Sequence, residues 1–331
     1  MLRRAAHCLR NACLFLAGGA LACAGAGMFL PPPHIPQVSA KLRYWEKHGH
    51  EFDTVFIGSS RTYRQFQPEV FDAVARDHGV KCRSFNLGID AMFSPEDGFF
   101  CDRFLSLKPV LRRAIVELSP FHSERTTLER GSERSIYWRD WKRTKMVYEQ
   151  HANRRANRWS KFSQHWVLHL RQVLNTARGA ALLQRALGIR PDDEKKVLGP
   201  RKDGYLPLKR PGGLTGRELA AYTAELSTRK AGAHLRTSAG PGAQSNLEAM
   251  LAGLQKTGAE ICFVIAPVVP EQRVYPEKAG MAPLHDFSEI PAWPELFDPK
   301  ERYDAMHLNA AGAERYTRAL AQQIFGGSVK P

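Results

Sequence analysis

The stretch Thr54-Val55-Phe56-Ile57-Gly58-Ser59-Ser60-Arg61 decides the fold. Its first four residues predict a short buried strand, and Gly-Ser-Ser then predicts a tight turn into a helix. Such a turn exposes the Ser60 hydroxyl beside the free backbone N–H groups at the start of that helix. A nucleophile can attack there and an oxyanion can be held, although a lone serine at such a turn is more often a helix N-cap.

Strands alternate with helices on both sides of this stretch. Further strands are predicted at 82–87, 113–118, 260–266 and 284–287, and helices at 68–78, 94–107, 245–257 and 310–325. This alternation predicts an α/β fold, a three-layer sandwich in which helices cover both faces of a parallel sheet. Loops that follow the strands then share one rim of the sheet, and they carry Ser60, Gly88, Ser119 and Pro267.

A second motif, Asp304-Ala-Met-His307-Leu-Asn309, precedes the last predicted helix. The three-residue spacing places Asp304 and His307 on the same side of a turn, so the carboxylate can fix the tautomer of the imidazole. The other ring nitrogen is then free to act as a base for a serine. Asn309 is suited to cap the final helix. On its own, an Asp-x-x-His pair is more often a surface pair.

The oxyanion site has one further candidate donor. Gly88, in Asn86-Leu87-Gly88-Ile89, lacks a Cβ atom, so its backbone N–H can approach a tetrahedral intermediate closely. The alternative is that Gly88 only turns the chain at a strand end. The sequence has no Cys-x-x-Cys motif or His/Cys cluster, so we expect no metal site and no cofactor.

The order of these motifs resembles the SGNH/GDSL hydrolase superfamily, in particular its membrane-anchored bacterial branch with Gly-Ser-Ser in the first block. The resemblance covers residues 52–121 and 245–325. It implies a flavodoxin-like SGNH hydrolase fold, with Ser60 as nucleophile, His307 as base and Asp304 as its orienting group. It also implies that the backbone of Ser60 and that of Gly88 donate to the oxyanion.

One block departs from the family pattern. The family has an asparagine after its third strand, whereas this chain reads Glu117-Leu118-Ser119-Pro120-Phe121-His122. The oxyanion would then depend on the Ser60 and Gly88 N–H groups, or on an auxiliary donor such as Arg61 or Ser119. Because the loss of one such donor costs about a hundredfold or more in rate, this departure bears on activity rather than on fold.

The N-terminus predicts a membrane segment. Arg3, Arg4 and Arg10 precede an uncharged run, Ala12–Leu30, which ends at Pro31-Pro32-Pro33. This run is long enough to cross a bilayer, and the basic flank predicts a cytoplasmic N-terminus and an exported body. We expect an uncleaved signal anchor in the inner membrane, with the globular domain in the periplasm or outside.

A cleaved signal peptide is the alternative, because Ala22, Ala24 and Ala26 offer cleavage sites and the body would then be secreted. Cys8, Cys13 and Cys23 belong to this segment. Of the remaining cysteines, Cys82 and Cys101 could pair in an oxidising compartment, and Cys262 fits a buried strand.

The charge of the chain is concentrated in its middle. Residues 122–236 have 25 Lys and Arg and 11 Asp and Glu, a net of +14 out of +15 for the whole chain. Cations are mixed with aromatic residues there, as in Tyr137–Arg143 and Arg154–Trp159, and 165–187 has helical apolar spacing. The predicted organisation is an anchor (1–33), an SGNH-like α/β domain (34–121 and 245–328) and a basic, mainly helical insertion (122–244).

Two functions remain open. The first is a serine esterase or O-acyltransferase that acts on an acylated glycan or a small ester, with envelope polysaccharide machinery as its partner; the resemblance implies this substrate class. The second is a catalytically degenerate domain that binds an anionic glycan or scaffolds an envelope assembly. Nucleic-acid binding through the basic insertion conflicts with an exported body. An anionic glycan, a phospholipid surface or a partner membrane protein fits that location better, and the alternative is a solvated insertion whose basic face only lies near anionic lipid.

Overall fold

The protein is an α/β protein with a five-stranded, all-parallel sheet flanked by helices, an N-terminal apolar helix and a helical insertion. The structure is a computed structural model that describes residues 2–27, 29–30, 32–119, 132–151, 158–188, 194–231, 236–238, 240–269, 273–275 and 282–327. These residues fall into two compact units, formed by 1–35 with 123–191 and by 36–122 with 192–331.

The sheet lies in the second unit, and its strands are β1 (Thr54–Ile57), β2 (Ser84–Asn86), β3 (Arg113–Glu117), β5 (Glu260–Ile265) and β7 (Leu284–Asp286). Their order across the sheet is β2-β1-β3-β5-β7. This is the flavodoxin-like order, in which the direction of winding reverses between β1 and β3. Ligands of such sheets bind outside the carboxyl ends of the strands at this switch point, which is where Ser60 follows β1.

Every strand of this sheet that the sequence predicts is confirmed. A separate parallel pair joins β4 (Arg236–Ser238) to β6 (Arg273–Tyr275). The helices of the sheet unit are α2 (Pro36–His48), α3 (Ser60–Gln65), α4 (Pro68–Asp77), α5 (Glu96–Leu105), α10 (Glu194–Val197), α11 (Gly216–Ala231), α12 (Pro241–Gln255) and α13 (Ala310–Phe325). Helix α13 packs against α3 and α4, and α12 packs against α5.

Aromatic residues dominate the core of the sheet unit. Phe56 of β1 stacks on Phe66 with ring centroids 5.1 Å apart and meets Phe71 of α4 edge to face at 5.0 Å. Tyr316 of α13 packs on Phe66 and on Phe287 at 4.9 and 5.0 Å. Buried aromatic rings therefore connect α13 to β1. Such ring pairs stabilise the fold by more than the burial of their apolar area alone.

The boundary of the insertion differs from the predicted 122–244. Residues 192–244 belong to the compact unit that contains the sheet. The reason is burial, because Leu214 and Tyr222 lie in the same hydrophobic core as Phe56, and the Tyr222 hydroxyl donates to the Phe297 carbonyl at 3.0 Å. The Gly and Pro content of residues 192–244 predicted a segment with little regular structure. The sequence therefore did not show that Leu214 and Tyr222 are core positions.

The first unit contains α1 (Leu2–Ala26), α6 (Glu133–Tyr137), α7 (Trp141–His151), α8 (Arg158–Val173) and α9 (Thr176–Ala186). The helical pattern predicted over 165–187 is interrupted at Asn175, whose φ of 58° is left-handed. Asparagine tolerates this conformation better than most residues, so it separates α8 from α9. Residues 154–157 of the predicted cation–aromatic stretch lie outside the described residues.

Helix α1 starts before the uncharged run and includes all three basic residues of its flank. Within it, Arg3–Ala26 is long and apolar enough to cross a membrane by length and composition, as a signal sequence or an anchor. All six cysteines are free thiols, so Cys82 and Cys101 are not paired. Burial raises the pKa of the Cys82 thiol to about 12, and its Sγ donates to Thr54 Oγ1 at 3.3 Å.

Candidate active site

The turn between β1 and α3 presents Ser60 as the first residue of a helix. Ser59 is the N-cap, and its hydroxyl accepts the Arg61 N–H at 3.2 Å. The Ser60 N–H has no hydrogen-bond partner among the described residues, as expected at a helix start. A Cβ atom on Gly58 would overlap Thr62 and Glu117 side-chain atoms, so the turn requires glycine there.

The structure brings Ser60 and His307 into hydrogen-bond contact. His307 Nε2 lies 2.8 Å from Ser60 Oγ, and His307 Nδ1 lies 3.0 Å from both carboxylate oxygens of Asp304. Because a carboxylate only accepts, Nδ1 carries the proton and Nε2 accepts from the serine hydroxyl. The three residues therefore have the geometry of a nucleophile, a base and an orienting carboxylate.

The loop that carries the base is held by its own backbone. Asp304 Oδ1 accepts the N–H groups of Met306 and His307, each at 2.7 Å. Burial raises the pKa of Asp304, but the hydrogen bonds from His307 and these backbone groups outweigh it, and the net pKa is lowered. The carboxylate thus stays ionised beside the imidazole.

The two ends of this loop are also fixed. Arg302 and Leu308 form an antiparallel bridge, and Asn309 caps α13 as predicted, accepting the N–H groups of Ala311 and Gly312 at 3.1 Å each. The Arg302 side chain is fully buried and donates to the Leu296 carbonyl at 2.9 Å. The His307 ring is therefore presented from a rigid segment rather than from a mobile loop.

Glu117, at the end of β3, binds the turn between β1 and α3 that carries Ser60. The sequence did not predict this role for Glu117. Its carboxylate accepts the Ser59 N–H at 2.8 Å, the Thr62 hydroxyl at 2.6 Å and Arg61 Nε at 2.6 Å. Burial raises the pKa of Glu117, but the Arg61 charge and the hydrogen bonds from Thr62 and Ser59 outweigh it, and the net pKa is lowered. The signal in the sequence for this role was an acidic residue at the end of a mostly apolar strand.

The two auxiliary donors considered from sequence lie elsewhere. The Arg61 guanidinium is buried and forms its ion pair with Glu117, on the inner side of the turn. Ser119 is buried and lines a cavity of about 30 Å³ together with Glu117, Asp97 and Asn246. Neither side chain makes a hydrogen bond to Ser60 in the structure. Pro120, Phe121 and His122 lie outside the described residues.

Gly88 lies against the backbone of α3, because a Cβ atom there would overlap the main chain of Tyr63. Its N–H donates to the side-chain oxygen of Asn86 at 2.9 Å. The Asn86 amide group in turn donates to the carbonyls of Thr62 and Phe66 at 2.7 and 2.8 Å. The Gly88 N–H, predicted to donate to the oxyanion, is thus already bonded to Asn86 Oδ1. The catalytic role of Gly88 stays a prediction.

Lys41 of α2 fixes the same loop from the other side. Its ammonium group donates to the carbonyls of Asn86, Gly88 and Gly204 at 2.8, 2.6 and 2.8 Å, which uses all three of its donors. It also lies 4.0 Å from the centroid of the Tyr63 ring. Burial lowers the pKa of Lys41 well below its ordinary value, and the charge of Asp90 opposes this.

Lys41→Met is expected to lower the free energy of unfolding by at least about 1–3 kcal/mol, the cost of leaving a buried polar group without its partner. The methionine fills the same space but cannot donate to the three carbonyls. Denaturant unfolding measures the change, with Lys47→Met on the exposed side of the same helix as a control. Equal stability of the two variants would contradict this role for Lys41.

No family model and no curated protein matches this chain. The candidate site therefore rests on the geometry of Ser60, His307 and Asp304 alone. No group of three or more His, Cys, Asp or Glu residues is arranged to hold a metal ion within the part of the chain that the structure describes.

Proposed function

We propose that the protein is an SGNH-type serine esterase or O-acyltransferase. The observation that carries this proposal is the hydrogen bond from Ser60 Oγ to His307 Nε2 at 2.8 Å, with Asp304 on the opposite ring nitrogen. A serine hydroxyl is a poor nucleophile at its own pKa, and a base within hydrogen-bond reach is what activates it. The resemblance to the SGNH/GDSL superfamily supports the same assignment.

In the proposed reaction, Ser60 Oγ attacks the carbonyl carbon of an ester while His307 Nε2 takes the hydroxyl proton. The tetrahedral intermediate collapses by breaking the bond to the alcohol oxygen, which leaves with the proton from His307. Water or a sugar hydroxyl then attacks the acyl-enzyme and gives its proton to His307. The new acid or ester departs, and Ser60 regains its proton.

The free N–H of Ser60 supports the oxyanion in this scheme. We further propose an acylated glycan of the cell envelope or an exopolysaccharide as the substrate class. The proposed location is the inner membrane, with α1 as a single-pass anchor and the sheet unit in the periplasm or outside. The basic flank and the apolar helix Arg3–Ala26 support this topology.

A non-catalytic function is the second candidate. The hydrogen bond between the Gly88 N–H and Asn86 Oδ1 favours it, because it occupies a donor that an oxyanion would need. In that case the domain binds an anionic glycan without turning over an ester. Glycan binding that survives both Ser60→Ala and His307→Ala, with no activity in the wild type, would identify this function.

Wild-type protein is expected to be labelled by a fluorophosphonate probe, and Ser60→Ala is expected to lose this labelling. The reason is that His307 Nε2 lies 2.8 Å from the Ser60 hydroxyl and activates it. In-gel fluorescence of the purified full chain is the measurement, and Ser106→Ala, which alters an exposed serine, is the matched control. A wild type that is neither labelled nor active on an activated acetyl ester would refute the hydrolase assignment.

A further inference from the structure

The apolar face of α8 points outward rather than into the protein, and it is formed by Trp159, Trp166, Val167 and Leu170, with Leu174 just after the helix. Trp159 is 71% exposed, and all five side chains are exposed although they are large and hydrophobic. They recur at the three- and four-residue spacing that places side chains on one side of a helix. An aligned apolar stripe of this kind differs from the single exposed hydrophobic residues that are normal on any protein surface.

The side of α8 that faces the other helices of its unit carries polar residues beside Phe162, which meets Tyr148 of α7 with ring centroids 5.3 Å apart. His165 is only 2% exposed and is hydrogen-bonded to the Arg139 guanidinium. The His169 ring nitrogen Nδ1 contacts the Arg139 carbonyl at 2.8 Å. The buried His165 and the partly buried His169 thus face the unit while large apolar side chains face outward, whereas a water-soluble bundle would turn most of its large apolar side chains inward.

Aromatic rings extend the apolar face of α8. Trp141 of α7 is exposed and meets Trp166 edge to face, with ring centroids 5.8 Å apart. Phe162 links Trp159 to Trp166, at 6.1 Å from each. Tryptophan concentrates where protein meets the lipid headgroup region, because its ring is apolar and its N–H is polar.

Within the same unit, the corner between α8 and α9 is attached to the end of α1. Asn175 Nδ2 donates to the Cys23 carbonyl, and the Arg178 guanidinium donates to the Gly27 carbonyl. The Cys23 carbonyl lies in the last turn of α1, where it also accepts the Gly27 N–H at 3.0 Å, and the Gly27 carbonyl lies just beyond the helix. A helix of 25 residues is about 37 Å long, against about 30 Å of hydrocarbon, so this end lies at the membrane surface when α1 spans.

Helix α9 continues the apolar surface past that corner. Leu182, Leu183 and, just after the helix, Leu187 are exposed. The chain from Gln150 to Pro191 has eight Lys and Arg and no Asp or Glu. A cationic stretch without acids repels a second copy of itself but is attracted to anionic lipid headgroups.

We infer that α8 and α9 lie on the same membrane that α1 spans, with the apolar face of α8 inserted into the headgroup and upper acyl region of its outer leaflet. The occupant of this face is an anionic phospholipid surface. Insertion to a depth of about 5–10 Å is typical of interfacial amphipathic helices. The inference rests on the proposed anchorage by α1 and is independent of the proposed esterase activity.

Depth-dependent fluorescence quenching tests this inference. The full chain is reconstituted into nanodiscs that contain anionic lipid brominated either near the carbonyl end or near the methyl end of the acyl chain. Wild-type tryptophan emission is expected to be quenched more strongly by the shallow bromines. Trp159→Phe/Trp166→Phe is expected to lose most of that quenching, whereas the matched Trp293→Phe variant, in the sheet unit, is expected to keep it.

The conservative change to phenylalanine keeps the apolar face, and thermal unfolding verifies that the variants remain folded. Quenching that is unchanged in the double variant would overturn the inference. Quenching by aqueous iodide instead of bromolipid would place the face in water, and protection from both quenchers would place it against a second copy or another protein. Either outcome overturns the inference.

The intact mass of the chain extracted from membranes reports separately on α1. A chain that has lost α1 and leaves the membrane fraction would refute the anchorage itself. Retained α1 without bromolipid quenching would refute only the interfacial position of α8. Turnover of an activated acetyl ester is measured on the same samples. Absence of turnover would refute the proposed esterase activity without bearing on the position of α8.

Discussion

His307→Ala is expected to lower turnover of an activated acetyl ester by about 10²–10⁴-fold, the usual contribution of a positioned general base. Nε2 of His307 is the acceptor 2.8 Å from the Ser60 hydroxyl, and alanine leaves that hydroxyl without a base. Steady-state hydrolysis by the purified full chain measures the loss. The matched control is His48→Ala, which removes a partly exposed histidine whose ring is bonded to Glu51.

Asp304→Asn tests the negative charge of Asp304 separately from its hydrogen bonds to the backbone of the loop. The asparagine oxygen can still accept the N–H groups of Met306 and His307, so the loop is expected to remain in place. The amide cannot stabilise a protonated imidazole as a carboxylate does, so turnover is expected to fall while thermal stability changes little. If His307→Ala or Asp304→Asn turned over the ester as fast as the wild type, the proposed triad would be excluded.

Glu117→Ala is expected to reduce the free energy of unfolding by about 3–5 kcal/mol, the usual cost of removing one member of a buried ion pair. The substitution removes the carboxylate that pairs with the Arg61 side chain and that accepts from Ser59 and Thr62. Because a domain is stable by only about 5–15 kcal/mol, much of the margin is lost. Denaturant unfolding of the full chain in detergent measures the change.

Glu260→Ala provides the matched control for Glu117. Glu260 also pairs with an arginine, Arg113, and also lies on a neighbouring strand of the same sheet, but its side chain is 75% exposed. An exposed pair contributes about 0–1 kcal/mol, so this variant is expected to unfold close to the wild type. Equal losses in the two variants would contradict the role assigned to Glu117 beneath the nucleophile turn.

The fold was predictable because its elements have strong local signals. Apolar runs such as Glu260–Ile265 end at Gly, Pro or Ser, and amphipathic runs such as Ala310–Phe325 follow a cap, so strand and helix are distinguished by period. The extent of the insertion was not predictable in this way. Leu214 and Tyr222 reach the core from a segment with many Gly, Pro and basic residues, and only the tertiary structure shows that they are buried.

The candidate site was predictable in part for a related reason. Ser60, Asp304 and His307 lie in short motifs at the ends of elements, where binding and catalytic residues are concentrated. Glu117 and Lys41 were missed because their function depends on partners from distant parts of the chain, as in the contacts of Lys41 with Gly88 and Gly204. The acid at the end of the mostly apolar strand β3 was the one signal for Glu117, whereas the neighbours of Lys41 in sequence do not show that it is buried.

The hydrogen bond between Ser60 and His307 joins residues 247 positions apart. During synthesis the nucleophile leaves the ribosome long before its base, and the connection between them cannot form until the end of the chain is available. In the folded chain α13 packs against α3 and α4, and the loop that precedes α13 places His307 beside Ser60. Under the proposed function, nascent and C-terminally truncated chains therefore carry Ser60 without its base, and activation of the serine requires the segment that holds His307.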